Sequence, residues 1–284
     1  LLGSAASGRR EMLMTGTVHA EPEMVIVLPG NTWLPLAAAL FLAMFFGGVL
    51  LKEYAVALIG LSLAAATLLR WAWLTGAPKS ADSVDAGNGT RLQLHYTAAS
   101  PPGWWGLMWT LVADAALFAS LVFSYLYLWT VRPEWPPHQL AALSWSAALP
   151  GLFILGSAAL AVKAGAERGA SRSAALCWGG AAVLGAAFIA IQAWTLSSSG
   201  LLAREHAYAA FIYTLFGFSA CHVAIAVLMA LFRLARVLRA HPEAGCRGEA
   251  RIIATFWLYV LAQWGICFVL IHIAPLLVRV GGGP

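Results

Sequence analysis

Seven apolar segments dominate this 284-residue chain, and each has about the length that crosses the hydrocarbon core of a bilayer. Hydrophobic residues make up 61% of the chain and charged residues 10%, whereas a soluble domain carries about 25% charged residues. Lipid offers no hydrogen-bond partner to an open sheet, and alternating polar strands are absent, so the segments are predicted to be transmembrane helices. The predicted spans are 33–51, 54–74, 104–131, 142–163, 173–196, 206–232 and 252–279.

The basic residues predict the orientation of these spans. Thirteen of the 17 Lys and Arg residues lie in the N-terminal tail or near the connections after the second, fourth and sixth spans, and four lie on the opposite side. The positive-inside rule then places the N-terminus in the cytoplasm and the C-terminus outside. This distribution also accounts for the net charge of +5 without nucleic acid, which we do not expect as a partner.

The spacing between spans divides the chain in two. Only Lys52 and Glu53 separate the first two spans, so these form a tight hairpin, in which Gly47 and Gly48 allow close helix approach. A long connection rich in Ala, Gly, Pro and Ser then precedes five further spans. The predicted fold is an all-α membrane protein with four parts: a tail or linker at 1–30, the two-helix hairpin at 31–75, a connecting loop at 76–103 and a five-helix bundle at 104–284.

Three strongly polar residues lie at one predicted depth in the bundle. Asp114, His222 and Gln263 belong to the third, sixth and seventh spans, and each lies roughly 15 Å from the cytoplasmic end of its span. A carboxylate inside a span costs several kcal/mol unless it finds partners. We therefore expect Asp114 and His222 to pair, with Gln263 nearby. Interhelical hydrogen bonding, a proton relay and a substrate site all remain open as the role of this layer.

No catalytic residue, metal ligand set or cofactor is predicted in this chain. His222 and His272 lie at different depths, which argues against axial ligation of one haem by both. The four cysteines show no C-x-x-C pair, and disulfides are not indicated. The last span contains no Lys, which excludes the Schiff base of a light-driven pump.

Several short stretches give the chain a family resemblance. Asp114 in VADAALF stands where subunit III of haem–copper cytochrome c oxidases carries a buried Glu, and FSACHV is similar to the family's F-H-G-L-H-V, with Ser219 in place of the first His. WLYVLAQW resembles W-H-F-V-D-V-V-W, with Leu258 and Leu261 in place of the His and the Asp. The chain therefore resembles subunit III from about residue 25 onward. EPEMVIVLPGNTWLPLAAAL also looks like the junction of fused oxidase chains, and a start at Leu1 is consistent with such a fusion of subunits I and III.

The resemblance implies a non-catalytic accessory role in a respiratory terminal oxidase. Subunit III of that family stabilises subunit I, supports its proton uptake and holds phospholipid, whereas haem and copper belong to the partner subunits. The implied partners are subunit I, either as a separate chain or fused to this one, subunit II and membrane phospholipids, in a bacterial-type plasma membrane. Candidates for lipid-phosphate contacts combine cations with interfacial aromatic residues: Arg70, Trp71, Trp73, Arg251 and Trp257.

Two other functions remain open from the sequence. A proton-coupled transporter would use Asp114 as its coupling site, and it would be expected to contain discontinuous helices. Pro150 and Pro275 lie near span ends instead of span centres. A subunit III relative that serves a quinol oxidase or a nitric oxide reductase would share the same sequence pattern.

Overall fold

The computed structural model describes residues 11–27, 31–75, 83–85, 90–93, 102–132, 135, 145–167, 171–239 and 247–281. Parts of the predicted tail (1–10 and 28–30) and most of the predicted connecting loop lie outside the described residues. The chain divides into two compact units, Leu1–Pro101 and Pro102–Pro284. The predicted boundaries of the four parts remain a prediction.

The first unit contains two helices and a small sheet. Helix α1 spans Leu34–Leu50 and helix α2 spans Tyr54–Thr75. Strands β1 (Glu11–Thr15) and β2 (Pro22–Val27) precede them, and strands β3 (Ser83–Asp85) and β4 (Arg91–Gln93) follow them. The sheet has the order β1-β2-β4-β3, in which β2 and β4 run parallel and the outer pairs run antiparallel. The sequence interpretation treated both flanking segments as a tail and a loop and did not predict this small sheet, whereas the predicted all-α class with its long apolar helices is confirmed.

The hairpin of α1 and α2 depends on two close backbone approaches. A Cβ on Gly48 would lie 2.6 Å from the backbone nitrogen of Ala57, and a Cβ on Gly60 would lie 2.6 Å from that of Phe45. Gly47, which the sequence also assigned to this contact, has no atom within 4 Å of such a Cβ. Gly48 and Gly60 therefore let the two helix backbones touch, as small residues do between membrane helices.

The turn between the two helices closes α1 with a Schellman motif. The Glu53 amide donates to the Gly48 carbonyl at 2.8 Å, and the Lys52 amide donates to the Val49 carbonyl at 3.2 Å. Lys52 has a φ of 62°, a left-handed conformation that costs a non-glycine residue about 1–2 kcal/mol. The hydrogen bonds of the turn offset that strain.

The second unit is a bundle of long helices. Helices α3 (Pro102–Val131), α4 (Trp145–Ala166), α5 (Arg172–Ser198) and α6 (Ala207–Leu238) are followed by α7 (Arg247–Phe268), a π-helical turn (Val269–Ile273) and α8 (Ala274–Gly281). Pro275 cannot donate to the carbonyl of residue 271, and the π turn, in which the Ala274 amide bonds to Val269 O, accommodates that missing bond.

Six helices of the described residues are long and apolar enough to cross a membrane, and α1 is a shorter apolar helix of 17 residues. These helices match the seven predicted spans within a few residues at most ends. Two ends differ more, because α6 continues to Leu238 and α7 begins at Arg247. The prediction ended both spans where charged residues begin, but helical hydrogen bonding continues beyond the apolar part of a span.

Two buried arginines lie in the C-terminal part of α6. Arg233 Nη1 donates to Glu249 Oε2 at 2.8 Å, and Arg236 Nη1 donates to the same oxygen at 3.1 Å. Both arginines are 3% exposed. Glu249 on α7 therefore links the two helices and balances part of the buried positive charge.

We expect Glu249→Gln to lower the free energy of unfolding by about 1–3 kcal/mol, because two buried guanidinium groups each lose one anionic contact. The lower half of that range is favoured, since the Glu249 side chain is 26% exposed. Denaturant unfolding in detergent measures the change, with Glu205→Gln at an exposed turn as the control. Equal stability of the two variants would contradict this role of Glu249.

The connection between α4 and α5 ends in a helix cap. The Ser171 hydroxyl accepts from the Ala174 amide at 2.9 Å and donates to Glu167, and the Ser173 hydroxyl donates to Glu167 at 2.5 Å. Both hydroxyls lower the pKa of the Glu167 carboxyl from its usual value, and the hydroxyl of Ser171 has the larger effect. The start of α5 is thereby fixed to the end of α4.

Candidate functional site

Helices α3, α6 and α7 bring four polar side chains together inside the second unit. Asp114 lies on α3, His222 lies on α6, and Tyr259 and Gln263 lie on α7. Tyr259 and Gln263 are four residues apart, so they share one face of α7. The structure thus places the three polar residues selected from the sequence in one cluster, with Tyr259 as a fourth member.

The two carboxylate oxygens of Asp114 have different partners. Oδ1 lies 3.1 Å from Nε2 of His222. Oδ2 accepts from the Tyr259 hydroxyl at 2.6 Å and from Nε2 of Gln263 at 2.9 Å. Nε2 of Gln263 also lies 2.9 Å from the Tyr259 hydroxyl oxygen. Asp114 is therefore the common acceptor that joins three helices.

The other side of the His222 ring is also engaged. Its Nδ1 lies 2.8 Å from the carbonyl oxygen of Phe218, one turn earlier on α6. The Phe218 and Phe256 rings lie 4.4 and 6.2 Å from the imidazole, centroid to centroid. Both ring nitrogens of His222 are therefore in contact with oxygen atoms of this chain.

Burial within the chain decreases across the cluster. Gln263 is 2% exposed, while the side chains of His222 and Asp114 are 12% and 21% exposed. Charged groups at this depth are tolerated when they are paired and hydrogen-bonded. Three partners satisfy the Asp114 carboxylate. The titratable groups of the cluster are the carboxyl of Asp114, the imidazole of His222 and the phenol of Tyr259.

Tyr259 is the member that the sequence interpretation missed. Aromatic residues were counted as apolar when the spans were assigned, although a phenol hydroxyl seeks a hydrogen-bond partner when it is buried. Its position four residues before Gln263 was the available signal, because that spacing places both side chains over one site.

The lipid-binding candidates lie in different environments. Arg70 is exposed on α2, and Trp71 and Trp73 are half-buried there. Arg251 is exposed on α7, and its guanidinium carbon lies 5.5 Å from the centroid of the Trp104 ring. Cations beside aromatic rings suit a membrane interface.

Trp257 does not fit the expectation of an interfacial residue. It is fully buried in the apolar core of the bundle, where its ring approaches Gly185. It lies ten residues after the start of α7, nearly three helical turns, and its indole packs between helices, so the surface of this chain does not present it to lipid.

Residues that commonly hold metals do not cluster in the described ranges. No group of three or more His, Cys, Asp and Glu side chains there has the arrangement of a metal site. Ser219, which stands where the family pattern has a His, is 2% exposed on α6.

Comparison with known proteins gives the network a family context. Cytochrome c oxidase subunit 3 of Synechocystis sp. is 28% identical over 174 residues, which cover 59% of this chain and 74% of that protein. Cytochrome c oxidase subunit 3 of Thermostichus vulcanus is 26% identical over 175 residues, covering 59% and 85%. The chain is a distant homologue of cytochrome c oxidase subunit 3. No family model matches the chain.

Homology to cytochrome c oxidase subunit 3 confirms the resemblance found in the sequence at this coarse level. This homology associates the chain with an oxidase complex and identifies it as a multi-pass membrane protein. Fusion to subunit I, the orientation in the membrane and the roles of the individual residues remain predictions.

Proposed function

We propose that the chain is a non-catalytic, lipid-binding accessory subunit or domain of a respiratory terminal oxidase of the cytochrome c oxidase type. It stabilises subunit I and supports proton uptake during oxygen reduction, while haem and copper reside in its partner subunits. The observation that carries the proposal is the homology to two cytochrome c oxidase subunits 3, which covers 74% and 85% of those proteins.

The proposed setting is a bacterial-type plasma membrane with the N-terminus in the cytoplasm and the C-terminus outside. The proposed protein partners are subunit I, either as a separate chain or fused to this one, and subunit II. Arg251 beside Trp104 and Arg70 near Trp71 and Trp73 are the proposed contacts for phospholipid phosphates.

A transporter with Asp114 as its coupling site is less well supported by the described helices. Transporter sites commonly lie at unwound helix centres. Asp114 and Gln263 instead lie within uninterrupted α-helical turns of α3 and α7, and the π turn begins at Val269. A relative that serves a quinol oxidase or a nitric oxide reductase remains a second candidate with the same accessory role.

Co-purification tests the proposed function. We expect an affinity-tagged chain, extracted from its own membranes in mild detergent, to bring down a haem-bearing polypeptide with an oxidase absorbance spectrum. Mass spectrometry of the intact polypeptide then shows whether subunit I is covalently attached. Recovery of a haem-free single polypeptide from membranes that contain active oxidase would contradict the proposal.

The electron donor distinguishes the cytochrome c oxidase from its relatives. We expect the purified complex to oxidise reduced cytochrome c with uptake of oxygen. Activity with quinol alone, or reduction of nitric oxide, would assign the chain to one of the related complexes.

A further inference from the structure

The tautomer of His222 is fixed by the backbone of its own helix. Nδ1 lies 2.8 Å from the Phe218 carbonyl oxygen, which can only accept a hydrogen bond. Nδ1 therefore carries a proton. Nε2, on the opposite side of the ring, then has either a lone pair or a second proton.

The Oδ2 atom of Asp114 is occupied by donors. The Tyr259 hydroxyl and the Gln263 amide nitrogen both contact it, at 2.6 and 2.9 Å. The same amide nitrogen also lies 2.9 Å from the Tyr259 oxygen, while Oε1 of Gln263 has no hydrogen-bond partner among the described residues. One O–H and one N–H donor directed at the same carboxylate oxygen favour a negative charge on the carboxylate.

The contact between Oδ1 of Asp114 and Nε2 of His222 must contain one proton. Oδ1 of Asp114 and Nε2 of His222 are 3.1 Å apart, so two facing lone pairs or two facing protons would repel each other. The two donors on Oδ2 stabilise the ionised acid. The Phe218 ring, 4.4 Å from the imidazole centroid, is an aromatic neighbour for a positive charge on the imidazole.

We propose that Asp114 and His222 form a carboxylate–imidazolium pair with a single proton on Nε2, and that Tyr259 and Gln263 are the positioning residues that keep it there. The titratable groups that α3, α6 and α7 contribute to the site are Asp114, His222 and Tyr259. The pair is neutral as a whole, which is compatible with its depth in the bundle.

This assignment favours interhelical bonding over a proton relay as the role of the cluster. A relay needs a proton that leaves easily, whereas Tyr259, Gln263 and His222 each direct a hydrogen toward the carboxylate in this arrangement. The inference concerns the chain itself and holds for any complex that the chain enters. Its failure would leave the oxidase assignment intact, because co-purification tests that assignment separately.

Isotope-edited infrared spectroscopy tests where the proton lies. The chain has three aspartates, of which Asp114 alone lies in a predicted span, so side-chain ¹³C-aspartate labelling isolates few signals. The purified complex is compared with its Asp114→Asn variant, which cancels the aspartates of other subunits. We expect Asp114 to show carboxylate bands and no protonated-carboxyl band at neutral pH, and ¹⁵N-histidine NMR to show both nitrogens of His222 protonated.

Tyr259→Phe tests the positioning role. Loss of one donor is expected to shift the carboxylate bands of Asp114, because a hydrogen bond to the charged group is lost. Tyr213→Phe is the matched control, since the Tyr213 hydroxyl donates to the Leu201 carbonyl at 3.0 Å, away from Asp114. A Gln263→Leu variant removes the second donor and is expected to shift the spectrum in the same direction.

Two results would overturn the proposal. A protonated-carboxyl band in the unmodified chain that disappears in Asp114→Asn, with a neutral His222, would place the proton on the acid. Spectra of Tyr259→Phe and Gln263→Leu identical to those of the unmodified chain would remove the positioning role. The measurement on the unmodified chain stands even where a variant does not fold.

Discussion

Asp114→Ala is expected to lower the free energy of unfolding by about 2–4 kcal/mol. The substitution removes the common acceptor of His222, Tyr259 and Gln263. Interhelical hydrogen bonds in membrane proteins average about 0.6 kcal/mol each, which sets the lower end for three bonds. Gln263 is almost completely buried and loses one of its two contacts, so part of the usual desolvation cost of about 1–3 kcal/mol adds to the loss.

Thr110→Ala is the control for this prediction. Thr110 lies one turn before Asp114 on α3, is exposed, and donates only to the Gly106 carbonyl of its own helix. Denaturant titration in detergent measures both variants. Equal loss of stability in the two would contradict a bonding role for Asp114.

The same Asp114→Ala variant has a second readout in the purified complex. We expect the haem absorbance of the accompanying subunits to remain, while assembled yield or sustained turnover decreases. Loss of the haem signal at full assembly would place Asp114 close to a redox centre and contradict the accessory role.

Gly60→Ala is expected to destabilise the hairpin by about 3 kcal/mol, at the upper end of the cost of overpacking. The new Cβ would lie 2.6 Å from Phe45 N and 3.0 Å from Phe41 O, both of which are backbone atoms that cannot move aside. Gly48→Ala faces the same obstacle at Ala57 and is expected to behave similarly.

Gly47→Ala is a stringent control, because it adjoins Gly48 on the same helix. Its added methyl group meets no atom within 4 Å. Because alanine has the higher helix propensity, this variant is expected to keep or slightly raise the stability. Thermal unfolding followed by circular dichroism compares the three variants, and a Gly60→Ala protein as stable as Gly47→Ala would contradict the close approach of α1 and α2.

The depth of the polar layer could be predicted from the sequence because helical rise is constant. Counting residues from the span ends was enough to place Asp114, His222 and Gln263 at one level. The rotation of each helix about its axis is not given by counting, and that rotation decides that Tyr259 faces Asp114 while Trp257 faces the core.

The sheet and the longer ends of α6 and α7 could not be predicted from sequence patterns, for a different reason. Strands β3 and β4 have three residues each, too short for a period-two pattern to stand out from a loop. The sequence interpretation ended the sixth span at residue 232, before the arginines, but Glu249 lies 16 residues after Arg233 and 13 after Arg236 and pairs with both. Both features depend on contacts between distant parts of the chain.

The pairing of β2 with β4 also constrains the path of α1. Strand β2 lies before α1 and strand β4 lies after α2, yet Met24 and Gln93 are partners in one sheet. A backbone that leaves one face of a bilayer and returns to that face must make an even number of crossings. If the 22-residue α2 crosses, the 17-residue α1 crosses as well, although it is near the minimum length.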